Sequence, residues 1–463
     1  MKSRQIVLAG IGMGSEQLIT EEVRQLIETA DCLIGADRML ACAQQIRSEA
    51  VPEAQEEKKN REECALFKEY RTEEIVSYIK EHEEYRKIGI LLSGDTGFYS
   101  GARKLKERLS QESQRKEGHV AFTNVTEKSE GESVREDAVL SEKADSGFCD
   151  ISIFPGISSL SYLASRAGVS WEDAVILSLH GKEMNFVQTI YRHPKTFLLL
   201  GGKGTGQHFY ETLREYQMDE MIVHIGRNMS YEEEQILSGR LGSLKPENFE
   251  GLCVVLVENP GYCKDAGMHL KDEEFIRGKV PMTKSEVRSV SVAELELTED
   301  AVVYDIGAGT GSVSVEIARA GEQIRVYAIE KNPEGVKLID ENRKKFKTDG
   351  IRIVEGPAPE VMEELEVPTH AFIGGSSGNL KEIVRVLQGK NPSVRIVINA
   401  ISLETVSEVM ALVEEGLLPD AEILQVSAAR SKVLGRYHMM LGQNPVYVIS
   451  AGGNKKTDER YTL

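Results

Sequence analysis

The stretch Val302–Asn332, "VVYDIGAGTGSVSVEIARAGEQIRVYAIEKN", decides the fold class of the C-terminal half. An apolar run ends in Asp305, glycines follow at Gly307, Gly309 and Gly311, and apolar residues then recur at helical spacing. A second apolar run, "RVYAIE", closes on Glu330. Strand, glycine turn, helix and strand in this order make a βαβ unit, and such units build parallel sheets covered by helices. The glycines allow a tight turn and a close backbone approach to a ligand. An acid closing the second strand stands where ribose hydroxyls need an acceptor.

The acid before the first glycine separates this loop from a dinucleotide loop. Asp305 would repel a pyrophosphate and suits the ammonium group of S-adenosylmethionine, held directly or through water. The unit therefore reads as a methyltransferase cofactor site on Asp305, Gly307, Ala308, Gly309, Thr310, Gly311 and Glu330. A glycine-rich turn without ligand is the alternative. Downstream, "IRIVEGPAPEVMEEL" supplies a third strand and a loop, Glu355 to Ala358, where an adenine would lie. "HAFIGGSSGNL" gives a fourth strand that ends in Gly374, Gly375 and Ser376. That loop is small and leaves room for a bulky planar substrate, whereas methylases of base amino groups need a polar clamp there. Upstream, Thr283 lies three residues before Glu286. It either opens a helix as a capping box or touches the methionine end of the cofactor. Near the end, "SAARSKVLGRYHMM" gathers Arg430, Lys432, Arg436 and His438. These four form a candidate grip for substrate carboxylates, with a solvated face as the alternative.

At 463 residues the chain has room for about three folding units at roughly 150 residues each. The net charge of -18 opposes a nucleic-acid partner. No run of about 18 apolar residues is present, so a membrane span is not expected. "MKSRQIVLAG" enters a strand without a signal peptide's apolar core, so a cytoplasmic location is expected. The six cysteines fall at no zinc-ligand spacing, and no metal site is expected.

In the N-terminal half "IVLAG", a helix from about Thr20 to Thr29, "DCLIGA" and "IGILLSG" alternate as a parallel α/β sheet does. Residues 111–147 are polar and charge-rich and read as a surface insertion. "CDISIFPGISSLSYLASRAGVSWED" resumes the pattern, with Ser158 placed to cap a helix and Gly168 to end it. Residues 260–280 look like a linker. The loop "VLAGIGMGSEQL" has glycines at Gly10, Gly12 and Gly14, but the next strand, "DCLIGA", ends without an acid for ribose. Its dinucleotide reading fails on that ground.

From about Pro281 the chain closely resembles the decarboxylating precorrin-6B methyltransferase family of cobalamin biosynthesis. The carriers are "DEEFIRGKVPMTKSEVRSV", "DIGAGTGSVSVEIA", "EGPAPE", "GGSSG", "NAISLETVSE" and "SAARSKVLGRYHMMLGQNPV". The resemblance implies cofactor contacts at Thr283, Gly307 to Gly311, Glu330 and Ala358. Pro357 stands where relatives can carry Asp, so any adenine hydrogen bond from that side chain is lost. The N-terminal half resembles the tetrapyrrole methylases through "AGIGMGS", "LLSGDTGFYS", "PGISSLSYLASRAGVSWEDAVILSLHGK" and "GRNMSYEEEQILSGRL". That resemblance implies a fold of two α/β subdomains, cofactor contacts at Gly94, Asp95, Phe98 and Ser158, and a glycine floor at Gly10, Gly12 and Gly14 for a flat macrocycle.

The implied organisation is a tetrapyrrole methylase domain over 1–259, a linker over 260–280 and a Rossmann-like decarboxylating domain over 281–463. The fused halves resemble the precorrin-6 C5,15-methyltransferases, with one S-adenosylmethionine site per half. That resemblance implies methylation at carbon 5 by the N-terminal half. It implies methylation at carbon 15, with loss of the ring C acetate's carboxyl, by the C-terminal half. Arg430, Arg436 and His438 are the candidates for the decarboxylation. Gly374, Gly375, Ser376 and Lys432 are the candidates for substrate contact. Related methylases assemble, so a homo-oligomer is expected. A catalytically idle S-adenosylmethionine-binding scaffold and, less well supported, a nucleic-acid methyltransferase are the alternatives.

Overall fold

Short apolar runs alternating with amphipathic helices give three sheets and a separate hairpin in the computed structural model. It describes residues 4–49, 64–116, 150–180, 184–202, 204–251, 253–264 and 269–453. The first sheet comprises β1 (Gln5–Gly10), β2 (Cys32–Gly35), β3 (Ala65–Lys68), β4 (Lys87–Leu92) and β5 (Asp150–Phe154), in the order β3-β2-β4-β1-β5. All its pairings are parallel. β1 and β2 are covered on both faces, which is why they read as unbroken apolar runs rather than alternating ones. The helix Glu21–Thr29 turns Val23, Leu26 and Ile27 onto one face of this sheet. Because the strands are parallel, the loops after β1, β4 and β5 gather at one edge, where open α/β sheets bind ligands. The helix Ala102–Lys116 runs into the segment expected to be an insertion, with Leu105 and Leu109 buried in the core. Residues 117–147 of that segment lie outside the described residues.

β6 (Ala174–Ser178), β7 (Lys195–Leu200), β8 (Ile222–Arg227), β9 (Gln235–Arg240) and β10 (Cys253–Glu258) make the second five-stranded sheet. In it β7 runs parallel to β6 and antiparallel to β10.

The third sheet has seven strands. They are β11 (Val302–Ile306), β12 (Arg325–Glu330), β13 (Ile351–Glu355), β14 (His370–Ile373), β15 (Arg395–Ala400), β16 (Glu422–Val426) and β19 (Val446–Ala451). β17 (Ala429–Leu434) and β18 (Tyr437–Gly442) form the hairpin between β16 and β19. The order β13-β12-β11-β14-β15-β19-β16 is parallel from β13 to β15, and β19 runs antiparallel to both its neighbours. Alternate residues of β11 feed two cores, Val303 on one face and Val302, Tyr304 and Ile306 on the other. Winding reverses between β11 and β14. Such a switch point leaves a crevice at the strands' C-terminal ends.

The chain divides into two compact units, Met1–Trp171 with His224–Leu237, and Glu172–Val223 with Ser238–Leu463. Within the second unit, Asp349 ties the helix Val187–Arg192 to the C-terminal sheet. Its carboxylate accepts the backbone N–H groups of Phe186, Val187 and Gln188 at 2.7, 2.8 and 3.1 Å, an N-cap supplied from distant sequence. Asn185 donates to the carbonyls of Glu322 and Ile324, and the Glu322 carboxylate accepts from the Thr189 hydroxyl at 2.7 Å.

Candidate active site

Asp305 to Ser312 carry the chain from β11 into the helix Ser312–Ala320, and this turn floors the C-terminal crevice. The N–H groups of Gly307 and Ala308 donate to the Ile329 carbonyl on β12 at 3.0 and 3.1 Å. Glu330, at the end of β12, organises the rim. Its Oε2 accepts from the Gly309 N–H and its Oε1 from the Asn332 N–H, each at 2.8 Å. Both carboxylate oxygens are thereby aimed, and each keeps a lone pair for a ribose hydroxyl. Gly309 takes a left-handed φ of +59°, with its Cα side against the Pro281 carbonyl. The Gly374 N–H donates to the Ile306 carbonyl at 2.9 Å, which brings the β14 loop against the turn.

Above this floor opens a cavity of about 820 Å³. It is lined by Thr283, Gly307, Ala308, Gly309, Glu330, Ala358, Gly374, Gly375 and Ser376, so most of the sequence-derived C-terminal site meets in one place. Thr310 and Gly311 sit behind that wall as buried parts of the turn. Thr283 faces the cavity and caps nothing. The helix Ser285–Glu294 starts from Lys284 without a side-chain cap, and Glu286 bonds Arg430 instead. That ion pair holds the Glu286 carboxyl below its ordinary range.

Asp305 departs from its expected role. It is fully buried, its Oδ2 accepts the Ser314 hydroxyl, and it does not line the cavity. Burial pushes its carboxyl up to about 7, and its Oδ1 has no partner. The side chain fastens the strand to the helix that follows.

The cationic cluster also comes apart. In the β17–β18 hairpin Arg430 pairs with Leu441 and Lys432 with Met439, while His438 opposes Val433. Arg430 and Lys432 therefore share one face and His438 lies on the other. Arg436, in the turn, donates to the hydroxyl of Tyr437 at 2.8 Å. All four are exposed and none lines the cavity.

Arg288 holds the approach to the cavity in place and was passed over in the sequence. Its guanidinium, with no exposure, bonds Glu316 at 2.7 Å and Asp272 at 3.2 Å, and donates to the Thr283 carbonyl at 2.7 Å. It thus anchors the segment that carries Thr283. Its only signal in sequence is a lone arginine among the small and apolar residues of the buried helix face, Ser285, Val287, Ser291 and Val292.

In the N-terminal sheet, Gly94 and Gly12 exchange backbone hydrogen bonds, and Asp95 accepts from the N–H groups of Gly97 and Gly156 at 2.8 and 3.0 Å. The loops after β1, β4 and β5 are thereby laced together. Phe98 packs edge-on against Tyr99 beside them. Ser158 caps the helix Ser159–Ala167, accepting from the Ser161 N–H at 3.1 Å. The glycine floor is used from within. A Cβ at Gly10 would lie 2.7 Å from the Gly94 carbonyl, and one at Gly14 would lie 2.8 Å from the Tyr231 hydroxyl. Close approach of the chain to itself accounts for both glycines.

The family model of the precorrin methyltransferase domain matches residues 274–451, the span that contains this cavity. The model of the tetrapyrrole (corrin/porphyrin) methylases matches residues 5–115 and 137–245. A probable cobalt-precorrin-6B C(15)-methyltransferase (decarboxylating) of Pyrobaculum calidifontis is 42% identical over 186 residues, 39% of this chain and 94% of that protein. The chain belongs to the precorrin methyltransferase family. It is a methyltransferase of the S-adenosylmethionine-dependent kind. The cobalt-precorrin-6B C(15)-methyltransferase (decarboxylating) of Salmonella typhimurium is 37% identical over 183 residues, again 39% of this chain and 94% of that protein. A crystal structure of precorrin-6y C5,15-methyltransferase from Geobacter metallireducens is 37% identical, covering 40% of this chain and 96% of that one with a TM-score of 0.38. Among the described residues no helix is long and apolar enough to cross a membrane.

Proposed function

We propose that this chain methylates a precorrin-6-type tetrapyrrole at carbons 5 and 15 and removes the carboxyl of the ring C acetate, in cobalamin biosynthesis. The residues of 281–463 would carry carbon 15 and the decarboxylation, and those of 1–259 carbon 5, joined through 260–280. The observation that carries the reading is the cavity over Gly307–Gly311, with the Glu330 carboxylate aimed by two backbone N–H groups.

These residues fit S-adenosylmethionine. Glu330 would hold the ribose, the Gly356–Ala358 stretch would flank the adenine, and Thr283 would meet the methionine end. Bound there, S-adenosylmethionine supplies an activated methyl group on a sulfonium. What the protein adds is alignment with an electron-rich meso carbon, which can lower a barrier by roughly 7–11 kcal/mol. The cavity exceeds what a nucleoside cofactor needs, and the small side chains at Gly374, Gly375 and Ser376 leave a flat ring room to enter. A second cofactor site, one per half, would lie at Gly94, Asp95, Phe98 and Ser158, where three loops meet at a parallel sheet's C-terminal edge.

A homo-oligomer belongs to the same reading. The hairpin carries Val433, Leu434, Tyr437, Met439, Met440 and Leu441 exposed, more apolar surface than a free arm usually shows to water. A cytoplasmic location fits free thiols at Cys32, Cys42, Cys64, Cys253 and Cys263. The charge of -18 argues against nucleic acid as substrate.

The test is incubation with a precorrin-6-type tetrapyrrole and labelled S-adenosylmethionine, with methyls and carbon dioxide counted by mass spectrometry. Two methyls and one carbon dioxide per macrocycle are expected. Unchanged precursor with bound S-adenosylmethionine would favour the idle scaffold.

A further inference from the structure

We infer that Arg38 takes a side-chain carboxylate of the macrocycle in the N-terminal half, with the Tyr70 ring beside it as a face for the flat ligand. The inference rests on the substrate proposed above and names contacts for its carbon 5 step.

The strand order puts β2 between β3 and β4, so the loops that leave these strands are neighbours. Beside the loops after β2 and β3 opens a cavity of about 550 Å³, whose lining includes Arg38, Lys68, Glu69, Tyr70 and Arg71. The β3 loop is held by its own acid. Glu69 Oε1 accepts from the N–H groups of Tyr70 and Arg71 at 2.8 and 2.9 Å. The Arg71 guanidinium grips both carboxylate oxygens, at 3.1 and 2.6 Å. Glu69 is buried in this arrangement, while the Tyr70 side chain stands outward, 81% exposed. An aromatic ring presented in this way offers its face to a planar ligand.

The three cations of the cavity are not equivalent. Arg71 is bound to Glu69, and Lys68 pairs with Asp37. Arg38 forms no ion pair among the described residues, although a net charge of -18 leaves acids in surplus. Its Nη2 donates to the Ser93 hydroxyl at 2.9 Å. A guanidinium has five N–H donors, so Arg38 keeps a two-pronged edge that matches a carboxylate. It also stands in the first turn of the helix Asp37–Glu49, where the positive end of the helix dipole disfavours a cation. Helix stability therefore does not explain it. An anion at this place would meet the guanidinium and the favourable end of the helix together.

The bond to Ser93 gives the contact its place in the reaction. Ser93 directly precedes Gly94 and Asp95, where the second cofactor site is proposed. The carboxylate contact is thereby tied to the loop that would carry the methyl donor. A tetrapyrrole of this type has acetate and propionate side chains around its rim. One of these fixed at Arg38, with the ring against Tyr70, limits how the macrocycle can turn and so which meso carbon meets the methyl. Alignment of this kind is what the transfer demands.

The test measures methyl transfer to carbon 5 of a precorrin-6-type tetrapyrrole by wild type, Arg38→Met, Arg38→Lys and Tyr70→Ala. The tetrapyrrole concentration is varied, and S-adenosylmethionine binding is titrated by calorimetry. Arg38→Met should raise the KM for the tetrapyrrole about tenfold, the scale of one hydrogen bond to a charged group, with cofactor binding retained. The loss should fall in KM rather than kcat. Arg38→Lys keeps the charge without the fork and should lie between the two. Tyr70→Ala should raise KM about threefold. Added salt should raise the wild-type KM more steeply than that of Arg38→Met. A wild-type KM in Arg38→Met, or a fall in kcat alone, would overturn the Arg38 contact and leave the proposed function standing. A wild-type KM in Tyr70→Ala would do the same for Tyr70. Cofactor binding lost in both Arg38 variants would also overturn the contact, by assigning Arg38 to the cofactor loop through Ser93. Should the methionine variant fail to fold, a wild-type KM in Arg38→Lys would overturn it instead. A wild type that puts no methyl on carbon 5 would overturn both the contact and the proposed function of this half.

Discussion

At Gly309 a side chain would meet the Pro281 carbonyl at 3.0 Å, and the φ of +59° strains any residue with a Cβ. Gly309→Val should therefore deform the turn that presents an N–H to Glu330. If each half holds one S-adenosylmethionine, as proposed, calorimetry should then show two sites in the wild type and one in the variant, with carbon 15 methylation abolished. Two surviving sites would remove this turn from the cofactor assignment. Four residues earlier, at the end of the strand, Asp305 obeys another demand. Its carboxyl, ordinarily near 3.8, is raised to about 7 by burial. The folded chain thus holds a proton that the unfolded chain releases, so this group's contribution is fully present below about pH 3.8 and is lost as pH rises to about 7. Asp305→Asn removes that dependence and keeps an oxygen for Ser314. Its stability relative to wild type should grow across that window by up to about 4 kcal/mol and stay level above it, measured by urea unfolding at several pH values. A difference that does not change with pH would mean that Asp305 is ionised in the fold. The motif made both residues visible as a pair of flanking acids. It could not show that Glu330 faces the cavity and Asp305 faces Ser314, because that depends on how the strand's pleat meets the helix behind it.

Elements show the same division. The βαβ unit Val302–Glu330 was readable because its glycines, apolar runs and closing acid fall within one short stretch. The approach segment to Thr283 was not, since it is held by partners from separate places in the chain: Asp272, Arg288 and Glu316. Arg288 is the hub, fully buried and bonded also to the carbonyls of Leu270 and Thr283. Removing one member of a buried ion network leaves the others charged and unpaired, at about 3–5 kcal/mol. Arg288→Met should lower unfolding stability by that order and weaken S-adenosylmethionine binding at the C-terminal site, followed by denaturant titration and calorimetry. A variant with wild-type stability would show that the two acids find water instead. The hairpin divides its basic residues for a geometric reason. Four charges within nine positions look like a cluster on paper, but strand alternation sends Arg430 and Lys432 to one face and His438 to the other. The long-range contact between Tyr231 and Gly14 was equally out of reach.

For the whole molecule, the expected boundary at 260–280 meets a chain whose compact units are drawn differently. Glu172–Val223 groups with Ser238–Leu463, and the bonds of Asp349, Asn185 and Glu322 give that grouping its physical content. Sequence patterns mark where one α/β series stops and the next begins; which series stick together is decided by side chains far apart in the chain. A protease site inserted between Lys264 and Met268 tests the consequence. After cleavage the two fragments should still elute as one complex, because the helix Val187–Arg192 draws its N-terminal acceptor from Asp349 and its neighbour Asn185 spans to Glu322 and Ile324. Asp349→Ala deprives three backbone N–H groups of their acceptor at once, and should weaken the fragments' association by about 2 kcal/mol or more. Asp349→Asn, which keeps one acceptor oxygen, should fall between the two. The Arg343 bonds to Tyr216 at 2.8 Å and Glu215 at 3.0 Å, together with those of Asn185 and Thr189 to the C-terminal sheet, would remain and set the residual affinity. If the wild-type fragments separate freely once cut, the carboxylate cap is a local fastening and the tie between the two series lies in the linker alone.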